Sequence, residues 1–414
     1  MKHVLITLSL LLSTFCAVLC SQTGSRIEAE NLLEEADQLM RLADWQRAEE
    51  LFNNAIALDN ANSLAFMKRA RFYNMVGRYQ ESERDYNTAI QLNPISVMAY
   101  DERAALKVLS SDYVGAIEDL NKARKLDGNN MSLLEQRSED YLLVENYEKA
   151  IADIDTLLLL GYNKELAYLK LSKTYLLQDK RLLANEYLDS VFIQNPKSSV
   201  AHDLKGLIYL KDGQLNKAIA SFNKAIELNP YLDIVYYNRA VAHRFNGDLL
   251  RAEADLNKAV SMNQTNENVL FLRAVVKKSQ GDFEGAIEDY DKAISYDPSY
   301  KAALFNRSYT KALLGLYGDA YFDILEALKF DEESPEYWNM KGNVEAIHGR
   351  YFDAIDSYTQ ALSINPDFSN ALYNRGLAYV MSYRSWNGCQ DLQEAAEQYG
   401  HKKAAKAFES FCGY

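Results

Sequence analysis

The chain has 414 residues, 48% of them hydrophobic and 25% charged, which excludes a disordered chain and allows two or three domains or one long array. Only 6 prolines and 18 glycines occur, too few for an all-β chain full of tight turns, and four cysteines are too few for a disulfide scaffold. A formal net charge of −13 argues against nucleic acid and against an anionic membrane surface, because both need clustered Lys and Arg.

The first element in chain order is a leader. Met1-Lys2-His3 precedes an apolar run from Val4 to Leu12, followed by Ala17-Val18-Leu19-Cys20. A short positive start, an apolar stretch and small residues near the cut form the pattern of a secretory signal peptide, here residues 1–20. The run sits near the lower length limit for a spanning helix and carries polar breaks, which argues against a membrane anchor. Cleavage after Cys20 or Ser21 leaves a short linker, 21–28. A second outcome is a lipid anchor on an acylated Cys20, against which Leu19 is bulky where a small residue is usual. The expected location is therefore outside the cytoplasm, periplasmic or secreted, with a lipoprotein at the cell envelope as the alternative. No other uninterrupted apolar stretch approaches spanning length, so no integral membrane span is expected.

From Ala29 to Lys402 the chain follows a ruler of 34 residues through eleven repeats without insertion or deletion. Tyr237-Asn238-Arg239-Ala240, Phe305-Asn306-Arg307-Ser308 and Tyr373-Asn374-Arg375-Gly376 mark every second repeat. Position 8 is always small, from Ala36 to Gly376, and so is position 20, from Ala48 to Gly388. Position 24 is always large and apolar, as in Phe52, Tyr86, Phe222, Tyr290 and Tyr358. Position 27 is Ala except at Leu157 and Val191. Positions 4, 8 and 11 share one helical face and positions 20, 24 and 27 another, and small side chains on facing stripes let two helix axes approach closely. Punctuation agrees. Pro94, Pro196, Pro230, Pro298 and Pro366 occupy position 32, and Gly77, Gly213, Gly247, Gly281, Gly315 and Gly349 occupy position 15, between the two helices.

Small residues, a Gly turn and a terminal Pro at these spacings, as in Gly281-Asp282-Phe283-Glu284-Gly285-Ala286, resemble the tetratricopeptide repeat (TPR). The resemblance covers 29–402. It implies an all-α fold, a right-handed α-α superhelix in which the first helix of each repeat lines a concave groove. Repeats 4 and 5 depart most: Tyr162 replaces the proline and Asp179-Lys180-Arg181 replaces the Gly turn.

Position 7 is Arg in seven repeats, and position 23 is Asp in the same seven; the other four have neither. Co-varying positions are usually in contact. An ion pair between the two helices of each such repeat is predicted, so the arginines are structural rather than a ligand-binding ladder. Beyond the repeats, residues 403–414 are expected to form a capping helix. Cys389 and Cys412 lie equally far from Gly400-His401, the turn between two antiparallel helices, which makes a disulfide geometrically reasonable in an exported protein. Their spacing is not Cys-x-x-Cys, which argues against a redox pair.

No converging catalytic constellation is visible. His202, His243, His348 and His401 fall in different repeats, and there is no His-Glu-x-x-His, zinc spacing or phosphate loop. No enzyme activity, metal or cofactor is expected. The family resemblance implies ligand contacts at positions 2, 5, 6, 9 and 12 of each first helix. The candidate peptide groove is Leu169, Leu207, Tyr237, Asn238, Val241, Phe271, Val275, Phe305, Asn306, Tyr309, Asn343, Tyr373 and Asn374. It offers an apolar, aromatic middle with carboxamides able to donate and accept, next to a charged N-terminal part. Asn339 stands where a clamp for an acidic C-terminus needs Lys. The expected function is a non-catalytic exported scaffold binding a protein or peptide segment; the alternative is a structural, self-associating subunit of a cell-envelope complex.

Overall fold

In the computed structural model, residues 24–413 are described, so the leader 1–20, Cys20 and its lipid alternative lie outside the described residues. These residues form helices joined by turns, with no strand among them. They divide into two units at Asn195–Pro196, the junction of repeats 5 and 6.

The first unit holds five helix pairs: α1 (24–41) with α2 (Trp45–Leu58), α3 (Ser63–Met75) with α4 (Tyr79–Leu92), α5 (Val97–Leu109) with α6 (Tyr113–Leu126), α7 (Met131–Leu143) with α8 (Tyr147–Leu159), and α9 (Lys164–Leu177) with α10 (Arg181–Gln194). The second holds six pairs and a cap: α11 (Ser199–Lys211) with α12 (Leu215–Leu228), α13 (Asp233–Phe245) with α14 (Leu249–Met262), α15 (Glu267–Gln280) with α16 (Phe283–Tyr296), α17 (Lys301–Leu313) with α18 (Tyr317–Phe330), α19 (Pro335–Ile347) with α20 (Tyr351–Ile364), α21 (Ser369–Met381) with α22 (Ser385–Glu397), and α23 (Lys402–Phe411). The second helices keep the 34-residue step throughout, each opening at position 17. The stretch expected as a linker is already helical from residue 24.

The small residues do what their positions require. A methyl group built on Gly206 would meet the Phe222 ring at 2.5 Å, and one on Gly342 the Tyr358 ring at 2.6 Å. Position 8 is thus the seat for the large position-24 side chain of its own repeat. Phe52, Tyr86, Phe222, Tyr290 and Tyr358 are all fully buried there. Two of the position-8 serines find a backbone acceptor across the hairpin, Ser172 at the Ala184 carbonyl (2.9 Å) and Ser308 at the Ala320 carbonyl (2.7 Å), while Ser138 donates to the Glu135 carbonyl of its own helix at 2.7 Å.

Position 15 is left-handed in all eleven repeats. Six are glycine, but Ala43, Ser111, Glu145, Asp179 and Tyr383 adopt φ between 55° and 62° without it. The Asp179 turn of repeat 5 therefore closes like the others, although its sequence lacks the glycine. The true departure follows repeat 4, where α8 ends early, Gly161 takes φ 87° and the Tyr162 amide donates to the Leu157 carbonyl at 2.9 Å. As a result α9 begins one residue ahead of the ruler, at Lys164.

All seven predicted Arg–Asp pairs are present, each with Nε and Nη2 donating to the two carboxylate oxygens. For Arg137 and Asp153 the distances are 2.8 and 2.6 Å. A third arm was not foreseen. Nη1 donates to position 25 of the preceding repeat, as in Arg69 to Asn53 at 2.7 Å, Arg239 to Asn223 at 2.6 Å and Arg307 to Asp291 at 2.6 Å. Each arginine thereby ties three helices.

At the C-terminus α23 covers the last repeat through Ala404 and Ala407, packed with Leu392 and Ala395. Cys389 and Cys412 stand with Cα atoms 5.7 Å apart and their sulfurs within bonding distance.

Candidate functional site

The thirteen predicted groove residues do not form one surface. Leu169 and Asn238 are buried, and Asn238 donates to the Asp203 carboxylate at 2.9 Å. Leu207, Val241 and Val275 are half-buried, and Tyr237 packs beside the core of repeats 7 and 8. Phe271 sits between the rings of Tyr290 and Tyr300, at 5.9 and 5.1 Å. Phe305 stacks on Tyr337 at 5.0 Å, and Tyr373 on His401 at 4.8 Å. These position-5 aromatics fill the seam toward the following helix or the turn that leads to it, so they are half-buried groove positions. Asn306 donates to the Ala302 carbonyl of its own helix at 2.9 Å and accepts from Lys278 at 2.8 Å.

The remaining three, Tyr309, Asn343 and Asn374, come together. They line an open cleft of about 440 Å³ across α17, α19 and α21, whose other walls include Leu313, Met340, Ile347, Leu377 and Met381. Tyr309, Leu313, Ile347 and Met381 are each about half exposed. At the floor, Asn343 accepts from the Tyr358 hydroxyl at 2.9 Å and from the Asn374 amide at 3.0 Å. Those bonds use the Asn343 carbonyl and the Asn374 amide group, which leaves the Asn343 amide group and the Asn374 carbonyl as donor and acceptor toward the cleft.

Sequence reasoning missed position 13. It carries Met75, Leu109, Leu143, Leu177, Phe245, Leu313, Ile347 and Met381, all between 46% and 62% exposed. The signal was available: position 13 lies one turn beyond position 9 on the same helix face.

The charged inner wall of the first unit is largely self-neutralised. Lys68 pairs with Asp37, Arg71 with Glu102 and Lys170 with Glu139, each across one repeat boundary. Among the described residues Asp140 and Asp203 have no paired cation, and burial pushes both up to about 6. For Asp203 the native state holds its proton above the unfolded value of about 3.9, so stability falls as pH rises from roughly 4 to 6. Asp203→Asn keeps an acceptor for Asn238 and is expected to raise stability by about 2 kcal/mol at pH 7.5, with the gain vanishing near pH 3.5. Urea unfolding at the two pH values checks this; an equal effect at both would refute it.

The family models described as TPR repeat match residues 206–247, 276–315 and 342–382, and those described as tetratricopeptide repeat match 33–96 and 234–266. The chain is a tetratricopeptide repeat protein. No curated protein matches this TPR chain. Solved structures similar to it include a tetratricopeptide repeat protein from Parabacteroides merdae, 21% identical over 68% of this chain and 98% of that one, with a TM-score of 0.48. PilF of Pseudomonas aeruginosa is 16% identical over 52% of this chain and 98% of that one, with a TM-score of 0.46. A chain of the Cut9–Hcn1 hetero-tetramer of the APC/C is 13% identical over 95% and 99%, with a TM-score of 0.47. Likenesses at this level carry no information about partners. Among the described residues of the TPR protein no cluster of His, Cys, Asp and Glu is arranged to hold a metal ion, and no helix is long and apolar enough to cross a membrane.

Proposed function

We propose that this TPR protein is a non-catalytic, exported scaffold that captures an apolar stretch of a protein partner in the cleft of repeats 9–11. The observation carrying the reading is the run of exposed apolar side chains on three successive first helices, Tyr309, Leu313, Ile347 and Met381, over a carboxamide floor. Exposed contiguous apolar surface of this kind marks interaction sites in soluble proteins. Leu313→Glu with Ile347→Glu is expected to abolish capture of partner segments in cross-linking of the mature protein, while far-ultraviolet circular dichroism stays unchanged. Undiminished capture would remove the cleft from consideration. Phe271→Ala with Phe305→Ala, by contrast, is expected to loosen the seams. Export is supported by the leader-like residues 1–20 and by the proximity of Cys389 and Cys412, a pair that needs an oxidising compartment to bond. Whether the mature chain starts with a lipid-bearing Cys20 is decided by its intact mass.

A second reading, a self-associating envelope subunit, is favoured by a different patch. Tyr383 and Trp386 are 97% and 72% exposed beside Arg384, whose guanidinium lies 5.0 Å over the exposed Phe352 ring. A concentration-dependent mass in light scattering, lost in Trp386→Ser, supports this reading; a monomer at all concentrations favours the first.

A further inference from the structure

The inner wall of the second unit holds two cations at the same ruler position of consecutive repeats, Arg244 on α13 and Lys278 on α15. Neither has a carboxylate partner among the described residues. This contrasts with Lys68, Arg71 and Lys170 of the first unit, each of which is paired. The Arg244 side chain is half-buried, its Nε is buried without a hydrogen-bond partner, and its guanidinium lies 4.6 Å over the Phe245 ring. Lys278 donates only to a neutral carboxamide, Asn306, and burial alone lowers its pKa. A buried donor left unpaired, and an ammonium held against desolvation with no counter-charge, are costs that a bound anion would remove. In a chain of net charge −13, two adjacent uncompensated cations stand out.

Lys278, one repeat beyond Arg244, borders the cleft. Lys278 Nζ lies 5.3 Å from the centre of the Tyr309 ring, and Tyr309 forms the first wall of the apolar cleft. We propose that Arg244 and Lys278 bind the side-chain carboxylate of an acidic residue in the partner segment, one that stands next to the apolar residues seated in the cleft of repeats 9–11. The ligand class is therefore an acidic–apolar peptide, engaged by charge at repeats 7 and 8 and by apolar burial at repeats 9–11. This inference rests on the cleft reading and deepens it.

The test is selection of displayed 12-residue peptides on the immobilised mature protein. The peptides are fused through their C-termini, so no free terminal carboxylate is offered. Retained peptides are expected to carry Asp or Glu at a fixed distance from two or more apolar residues. For one such peptide, replacing its acid by the amide is expected to weaken binding on the order of tenfold, and Arg244→Gln with Lys278→Gln to weaken it as much. The amide peptide is expected to lose nothing further on the double variant, whose helicity and melting temperature serve as the folding control. Apolar peptides without acid enrichment would overturn this inference and leave the cleft reading standing. Acidic peptides that bind the double variant equally well would overturn it too. Retention of no peptide would sink both readings.

Discussion

Arg69→Met is expected to lower the stability of repeats 1 and 2 by about 3 kcal/mol, because it strands a carboxylate that has no second cation. Asp85 is only 6% exposed, and its ion pair is with Arg69 alone. Arg273→Met removes the same bidentate pair in repeat 8, yet Asp289 keeps Lys277 at 2.9 Å and is expected to suffer less. The loss in Arg69→Met is also expected to shrink as pH falls towards 4, since protonation discharges the stranded group. Arg69→Met with Asp85→Leu removes both charges and is expected to recover most of the loss. Hydrogen exchange on α3 and α4 for the Arg69 variants, and on α15 and α16 for Arg273→Met, measures these effects locally, because repeat arrays need not unfold as one. Equal losses in Arg69→Met and Arg273→Met would show that the ion pair, as opposed to arginine packing, contributes nothing.

Cys389→Ser with Cys412→Ser is expected to destabilise the end of the second unit by about 3 kcal/mol in the chain-entropy account, given a sequence separation of 23 residues. The effect should be local. The cap helix α23 is short, and it is held otherwise by Ala404, Ala407 and the Phe408 ring on the last repeat. Trypsin cleavage at Lys402, Lys403 and Lys406 is expected to accelerate in the variant, and equally in the wild type under reductant. Indifference of the wild type to reductant would mean that the two sulfurs are not bonded in the mature protein.

The fold was legible because its determinants are periodic. The small residues at positions 8 and 20, the large one at 24 and the turn at 15 each recur at a fixed step, so noise in any one repeat is averaged away. The Arg–Asp pairs were legible for the same reason, since presence and absence matched repeat by repeat. The third arm of each arginine was equally visible: Asn or a short polar residue at position 25, as in Asn53, Asn121, Asn223 and Thr359, precedes each arginine-bearing repeat. The site was harder to see. Phe271, Phe305 and Tyr373 point toward the inner face by helix geometry. Whether such a ring stays free depends on what the turn after its repeat, or the helix beyond that turn, brings against it, here Tyr300, Tyr337 and His401. That is a property of pairs across a turn, and single-position patterns do not contain it.

The arginine ties have one consequence for how the cleft works. They run unbroken across repeats 6 to 9, then skip the boundary between repeats 9 and 10, where Lys341 turns to Glu345 and Ser357 within its own repeat. The apolar cleft straddles that boundary. The proposed binding cleft therefore spans the one boundary among repeats 6 to 11 that no arginine fork ties, where the Tyr321 hydroxyl donates to Glu345 at 3.2 Å instead.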